Sequence, residues 1–126
     1  MPMSLELTPE ALAVYRATAQ RRWEEEQRER ARREERAWAL ARQAVVLLRK
    51  QFGATRIVVF GSLVHQGMFT LWSDVDIAAW GIQPQDTLRA IGAVFDLDAD
   101  IQVNLVDVNT ASAELLNTIE QEGVEL

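Results

Sequence analysis

Asp74 and Asp76, separated by a single valine, are the side chains in this sequence best placed to do chemistry. In extended backbone, residues i and i+2 share a face, so the two carboxylates project side by side with Cα atoms about 7 Å apart. Like charges that close raise one pKa unless a cation intervenes. Magnesium suits such a pair, because it takes one or two carboxylates together with water and phosphate oxygens. Two exposed aspartates at a solvated strand end have the same sequence pattern. Upstream, Phe60-Gly61-Ser62 closes a run of β-branched residues. Glycine lets a ligand approach the backbone, and the free N–H groups of the following turn can hold phosphate oxygens. An ordinary turn also reads this way. No P-loop pattern is present, and the one lysine, Lys50, precedes the first strand. His65, the single histidine, lies between the two motifs as a loop residue or a general base. Phe69 and Trp72 are expected to pack on or cover that loop.

The elements that must position these residues follow from periodicity. Thr8-Pro9-Glu10 is a helix start: a capping hydroxyl, a proline suited to the first turn and an acid at the positive end of the dipole. Neither proline nor glycine interrupts the chain from Glu10 to Gln51, and Gly53 supplies a stop. Such a helix is about 65 Å long, too long to fold back on a small domain. Its middle, residues 20–36, alternates seven arginines with six glutamates. Glu24/Arg28, Glu26/Arg30 and Glu29/Arg33 stand at i,i+4 spacing, as in a solvated arm. Trp23 is out of place there and suits a partner contact. Residues 37–48 turn apolar and are expected on the core. Strands are read at Arg56–Phe60, Val75–Trp80 and Ile101–Val108, and helices at Pro84–Leu97 and Ala111–Gln121. The result is an α/β (α+β) arrangement with a small mixed sheet flanked by helices and a long charged N-terminal helix. Its division is a charged helical arm, 1–36, and a domain, 37–126.

Composition limits the partners. Residues 1–51 hold eleven basic and eight acidic side chains, a net +3; residues 52–126 hold two and eleven, a net −9. A half that acidic repels bare phosphate backbones, so extended nucleic-acid binding is not expected, although a nucleotide carried in with magnesium is acceptable. The absence of cysteine excludes disulfides and thiolate chemistry. No apolar run reaches the length of a membrane span, and the cytoplasm is the expected location.

Taken together, Val59-Phe60-Gly61-Ser62 followed after eleven residues by Asp74-Val75-Asp76 resembles the nucleotidyltransferase superfamily, specifically its minimal nucleotidyltransferase group. Val103-Asn104-Leu105-Val106-Asp107-Val108 and the closing Glu122-Gly123-Val124 are also similar to that group, so the resemblance covers about residues 50–126. It implies the nucleotidyltransferase fold and two-metal nucleotidyl transfer. Gly61 and Ser62 would hold the triphosphate of ATP, and Asp74 and Asp76 would ligate Mg2+. The group's third acid, on the third strand, falls on Asn104, which carries no charge and accepts no proton. Asp107 has the wrong strand parity to replace it, and Asp98 and Asp100 read as loop charges. Members are commonly antitoxins paired with HEPN-domain ribonuclease toxins, which they silence by transferring AMP from ATP onto a toxin tyrosine. With Asn104 in the third position, the alternative is an impaired antitoxin that neutralises its toxin by binding alone.

Overall fold

A computed structural model describes residues 8–126. Helix α1 runs unbroken from Pro9 to Phe52, and Thr8 Oγ1 accepts the Ala11 N–H at 3.0 Å as the expected cap. Strand β1 (Arg56–Phe60) leads through a 3-10 turn (Gly61–Val64) and an irregular loop to β2 (Val75–Trp80). A further 3-10 turn at Pro84–Asp86 precedes α2 (Thr87–Phe95), followed by β3 (Val103–Asp107), α3 (Ala113–Glu122) and β4 (Val124–Glu125). The expected helix at Pro84–Leu97 is therefore shorter and enters through a tighter turn. β4 is an element that two residues are too few to announce.

The sheet order is β3-β2-β1-β4, with β1 antiparallel to both β2 and β4 and β2 parallel to β3. This is the small mixed sheet of a nucleotidyltransferase fold. Strand alternation assigns its two faces. Ile57, Val59, Val75, Ile77, Val103 and Leu105 face the apolar end of α1, where Ala37, Leu40, Ala41, Ala44 and Leu48 are buried, and Ala90 and Val94 of α2 join them. Val58, Phe60 and Ala78 face the other way, onto Ile119 and the partly buried Leu115 of α3. Gly123 makes the last turn possible, since a Cβ there would lie 2.2 Å from Val58 Cγ1 and 2.5 Å from the Ile119 carbonyl oxygen. The chain then pairs with β1, and Leu126 N–H donates to the Ile57 carbonyl at 3.0 Å.

The arm departs from the expected pattern of solvated i,i+4 ion pairs. Among the described residues none of the three expected Glu/Arg pairs forms; three arginines of the 20–36 stretch turn instead to the domain. Arg30 donates to the Gly67 carbonyl at 3.1 Å, and Arg36 to Asp100 at 3.0 Å and Asp98 at 3.4 Å. Arg33 reaches the Ser73 carbonyl at 3.2 Å and Asp100 at 3.1 Å, with its side chain only 10% exposed. Asp98 and Asp100 are thus the arm's anchor points as well as loop charges. The signal lies in spacing: Arg30 and Arg33 continue, at helical intervals, the same stripe as buried Ala37, Leu40 and Ala44. Among the described residues no helix is long and apolar enough to cross a membrane.

Candidate active site

β1 and β2 bring the glycine–serine turn and the aspartates together. Phe60 lies opposite Asp76 in the antiparallel register, so the residue after Phe60, Gly61, begins its turn beside the Asp76 side chain. Gly61 has φ +78°, and a Cβ built there would stand 2.6 Å from Asp76 Oδ2. Both facts demand glycine: the left-handed backbone is costly for other residues, and the carboxylate occupies the space of a side chain. Ser62 follows in the first turn of the 3-10 segment. Asp74, just before β2, shares the Asp76 face by strand parity, and its charge acts on Asp76.

Asp76 lies across the parallel pair from Asn104. The Asn104 Nδ2 amide donates to Asp76 Oδ1 at 3.4 Å, while Gln102 Nε2 donates to Asn104 Oδ1 at 2.6 Å. Gln102 is a site neighbour that motif reasoning missed, although its position two residues before Asn104 put it on the same face. Partial burial pushes the Asp76 carboxyl above the usual range; the Asn104 hydrogen bond opposes this and Asp74 adds to it. Asp107 stays away from this face and accepts the Asn109 N–H at 3.0 Å in the turn after β3.

The loop between the two motifs is fixed from outside. Ser73 Oγ accepts the Thr70 N–H at 2.9 Å, and Arg33 and Arg30 of α1 hold the Ser73 and Gly67 carbonyls. Phe69 is buried beneath Arg33, whose guanidinium carbon stands 6.0 Å from the ring centre. Trp72, expected to pack on or cover the loop, is instead 89% exposed. His65 Nε2 stands 3.7 Å from Glu122 of α3, an approach that is an ion pair only when the imidazole is protonated.

Two carboxylates, one amide and a glycine turn form the donor set. Among the described residues no third Asp, Glu or His joins Asp74 and Asp76. The set fits one divalent cation completed by phosphate and water oxygens, and the raised Asp76 carboxyl is what such a charge relieves. Asn104, on the same face, offers an amide oxygen and no charge.

These features define the nucleotidyltransferase class of fold. No protein-family model matches the chain, and no curated protein does. Among solved structures it is similar to a chain of a mutant toxin–antitoxin MntA–HpeT, with TM-score 0.53 and 28% identity, covering 68% of this chain and 69% of that one.

Proposed function

We propose that this chain is the antitoxin of a two-protein toxin–antitoxin pair and that it silences its toxin by nucleotidyl transfer. The toxin is a HEPN-domain ribonuclease, and the acceptor is one of its tyrosines. The observation that carries this reading is the Asp76 carboxylate lying against the Gly61 turn, with Asp74 beside it. The similarity to toxin–antitoxin MntA–HpeT supports the antitoxin role.

In this mechanism the backbone around Gly61 and the Ser62 hydroxyl hold the triphosphate of ATP. Asp74 and Asp76 would hold Mg2+, which would supply charge neutralisation at the phosphate oxygens. The toxin's phenolic oxygen attacks the α-phosphorus, a P–O bond to tyrosine forms, the α–β anhydride bond breaks and pyrophosphate leaves. Asn104 cannot take the phenolic proton, which passes to water. Positioning and electrostatics therefore carry most of the acceleration, and the rate falls short of a site with a general base by roughly 10²–10⁴.

One observation favours a second reading, neutralisation by binding alone: Asn104 already donates to Asp76 and supplies no charge. The acidic 52–126 half is complementary to a basic ribonuclease. One experiment separates the readings. The chain is mixed with the protein encoded beside it, ATP and magnesium, and that neighbour is weighed intact. An AMP adduct that disappears with Asp74→Ala supports transfer. A tight complex without an adduct supports binding alone, and neither complex nor adduct removes the antitoxin role.

A further inference from the structure

Asp76 lies on β2, between β3 on one side and β1 on the other. Its two oxygens divide between these neighbours. Oδ1 accepts the Asn104 amide of β3 at 3.4 Å, and Oδ2 lies against the Gly61 turn that ends β1, where a Cβ would stand 2.6 Å away. The terminal torsion of an aspartate is soft, so the carboxylate alone would turn over a broad range. The amide from β3 fixes its plane, with one oxygen toward each neighbouring strand.

An ionised carboxylate only accepts hydrogen bonds, so Asn104 must turn its nitrogen to Asp76 and its oxygen elsewhere. Gln102 meets that oxygen: its Nε2 donates to Asn104 Oδ1 at 2.6 Å, the shorter of the two bonds. Both bonds run one way, from Gln102 to Asn104 to Asp76, and bonds in such a series strengthen one another. The backbone holds Gln102 in place for this. Its carbonyl accepts the Val75 N–H at 2.9 Å, just before the β2–β3 register that sets Val75 opposite Val103 and Asp76 opposite Asn104. Turned over, the Asn104 amide would set its oxygen against a carboxylate and its nitrogen against the Gln102 donor.

We infer that Gln102 is a positioning residue for the cation site: it keeps the Asn104 nitrogen on Asp76 Oδ1, which leaves Oδ2 and Asp74 to hold a divalent cation. Asn104 is then a brace for one carboxylate, and the two aspartates are the protein ligands. The inference rests on the magnesium reading of this site and is independent of what accepts the nucleotidyl group. Loss of a group that orients a metal ligand costs about 10–100-fold in metal affinity. Gln102 stands one bond further out, so its removal is expected to cost about three- to tenfold.

The probe is Mn2+, which takes the same carboxylate and water ligands as Mg2+ and whose free form is read by electron paramagnetic resonance. MnCl2 is titrated into the full chain without ATP, and the binding lost with Asp74→Ala is that of the site. Gln102 is exposed, so its variants are expected to fold. Gln102→Ala is expected to weaken Mn2+ binding about three- to tenfold in the parent and to change nothing in an Asn104→Ala chain. Equal losses in both backgrounds, or none in either, overturn the proposal. Gln102→Glu can no longer donate to the Asn104 oxygen, so it is expected to weaken binding as Gln102→Ala does, although it adds a negative charge. Tighter binding overturns the proposal. A second readout needs no metal: the Asn104 side-chain amide signal in a 15N spectrum, identified by its loss in Asn104→Ala, is expected to move in Gln102→Ala, and an unmoved signal overturns the proposal. Mn2+ binding that depends on Gln102 in a chain that transfers no AMP removes nucleotidyl transfer and leaves this inference standing. Transfer that is lost with Asp74→Ala, beside Mn2+ binding indifferent to Gln102, does the reverse.

Discussion

Asp76 and Asn104 face each other across the parallel β2–β3 pair, and the Asn104 Nδ2 amide donates to Asp76 Oδ1 across it. The amide's hydrogen bond opposes the rise that burial imposes on the Asp76 carboxyl, but the amide carries no charge and accepts no proton.

Restoring an acid there has a definite expected result. Asn104→Asp places a third carboxylate beside Asp74 and Asp76 and lowers the metal-free melting temperature, by roughly 1–2 kcal/mol of stability. Added magnesium is expected to return most of that loss, because only the folded chain assembles the three ligands. Thermal melts with and without MgCl2 check this; equal melts in the two buffers remove the metal reading.

Asp76→Asn is expected to separate stability from activity. Burial disfavours the Asp76 charge, so the neutral isostere stabilises the metal-free fold, by less than about 1 kcal/mol once the solvent reaching this half-buried group is allowed for. AMP transfer to the partner falls to background. A variant that is less stable than the parent at neutral pH contradicts the electrostatic account.

Gly61→Ala tests the convergence of the two motifs. The new methyl enters a left-handed backbone and lies 2.6 Å from Asp76 Oδ2, so either the turn or the carboxylate shifts. A cost of about 1–3 kcal/mol is expected in denaturant melts, together with weaker stabilisation by Mg-ATP. Ala at Gly92, in the middle of α2 with open space around its Cβ, serves as the control.

Arg33→Ala is expected to cost about 1–3 kcal/mol through the lost Ser73 carbonyl bond and the packing over Phe69. Its pH dependence follows from the anchors. Backbone N–H groups of Ile101 and Asp100, with Arg36, hold the Asp98 carboxyl below its usual range; Arg36 and Arg33 do the same for Asp100. Groups depressed in the folded chain stabilise it above their unfolded pKa, about 3.9, and lose that contribution as pH falls through the folded value. An Arg33→Ala/Arg36→Ala chain is therefore expected to differ from the parent most at neutral pH and progressively less below about pH 4. A difference constant with pH assigns the arginines a packing role only.

The strands and helices were legible because their signals are local: β-branched runs closed by Gly61 and Gly81, and a cap at Thr8. The face of Asp74 and Asp76 followed from parity alone. Two things were not legible. Arg30 and Arg33 look like members of i,i+4 pairs and Arg36 like one more charge of a solvated arm, and only the placement of the 67–73 loop and Asp100 offers them other partners, two each for Arg33 and Arg36. Trp72 looks like a lid, but the tight Thr70–Ser73 turn, with Trp72 N–H donating to Thr70 Oγ1 at 3.2 Å, aims it at solvent. Both depend on tertiary geometry that spacing does not encode.

The unbroken run of α1 has one mechanical consequence. After Pro9 the helix contains neither proline nor glycine, so it has no joint, and the arginines that steady the loop before Asp74 sit on the same rod as Tyr15 and Trp23. Whatever grips the far end grips a caliper whose other jaw is the 67–73 loop, and the span from Trp23 to that loop is set by the helix itself.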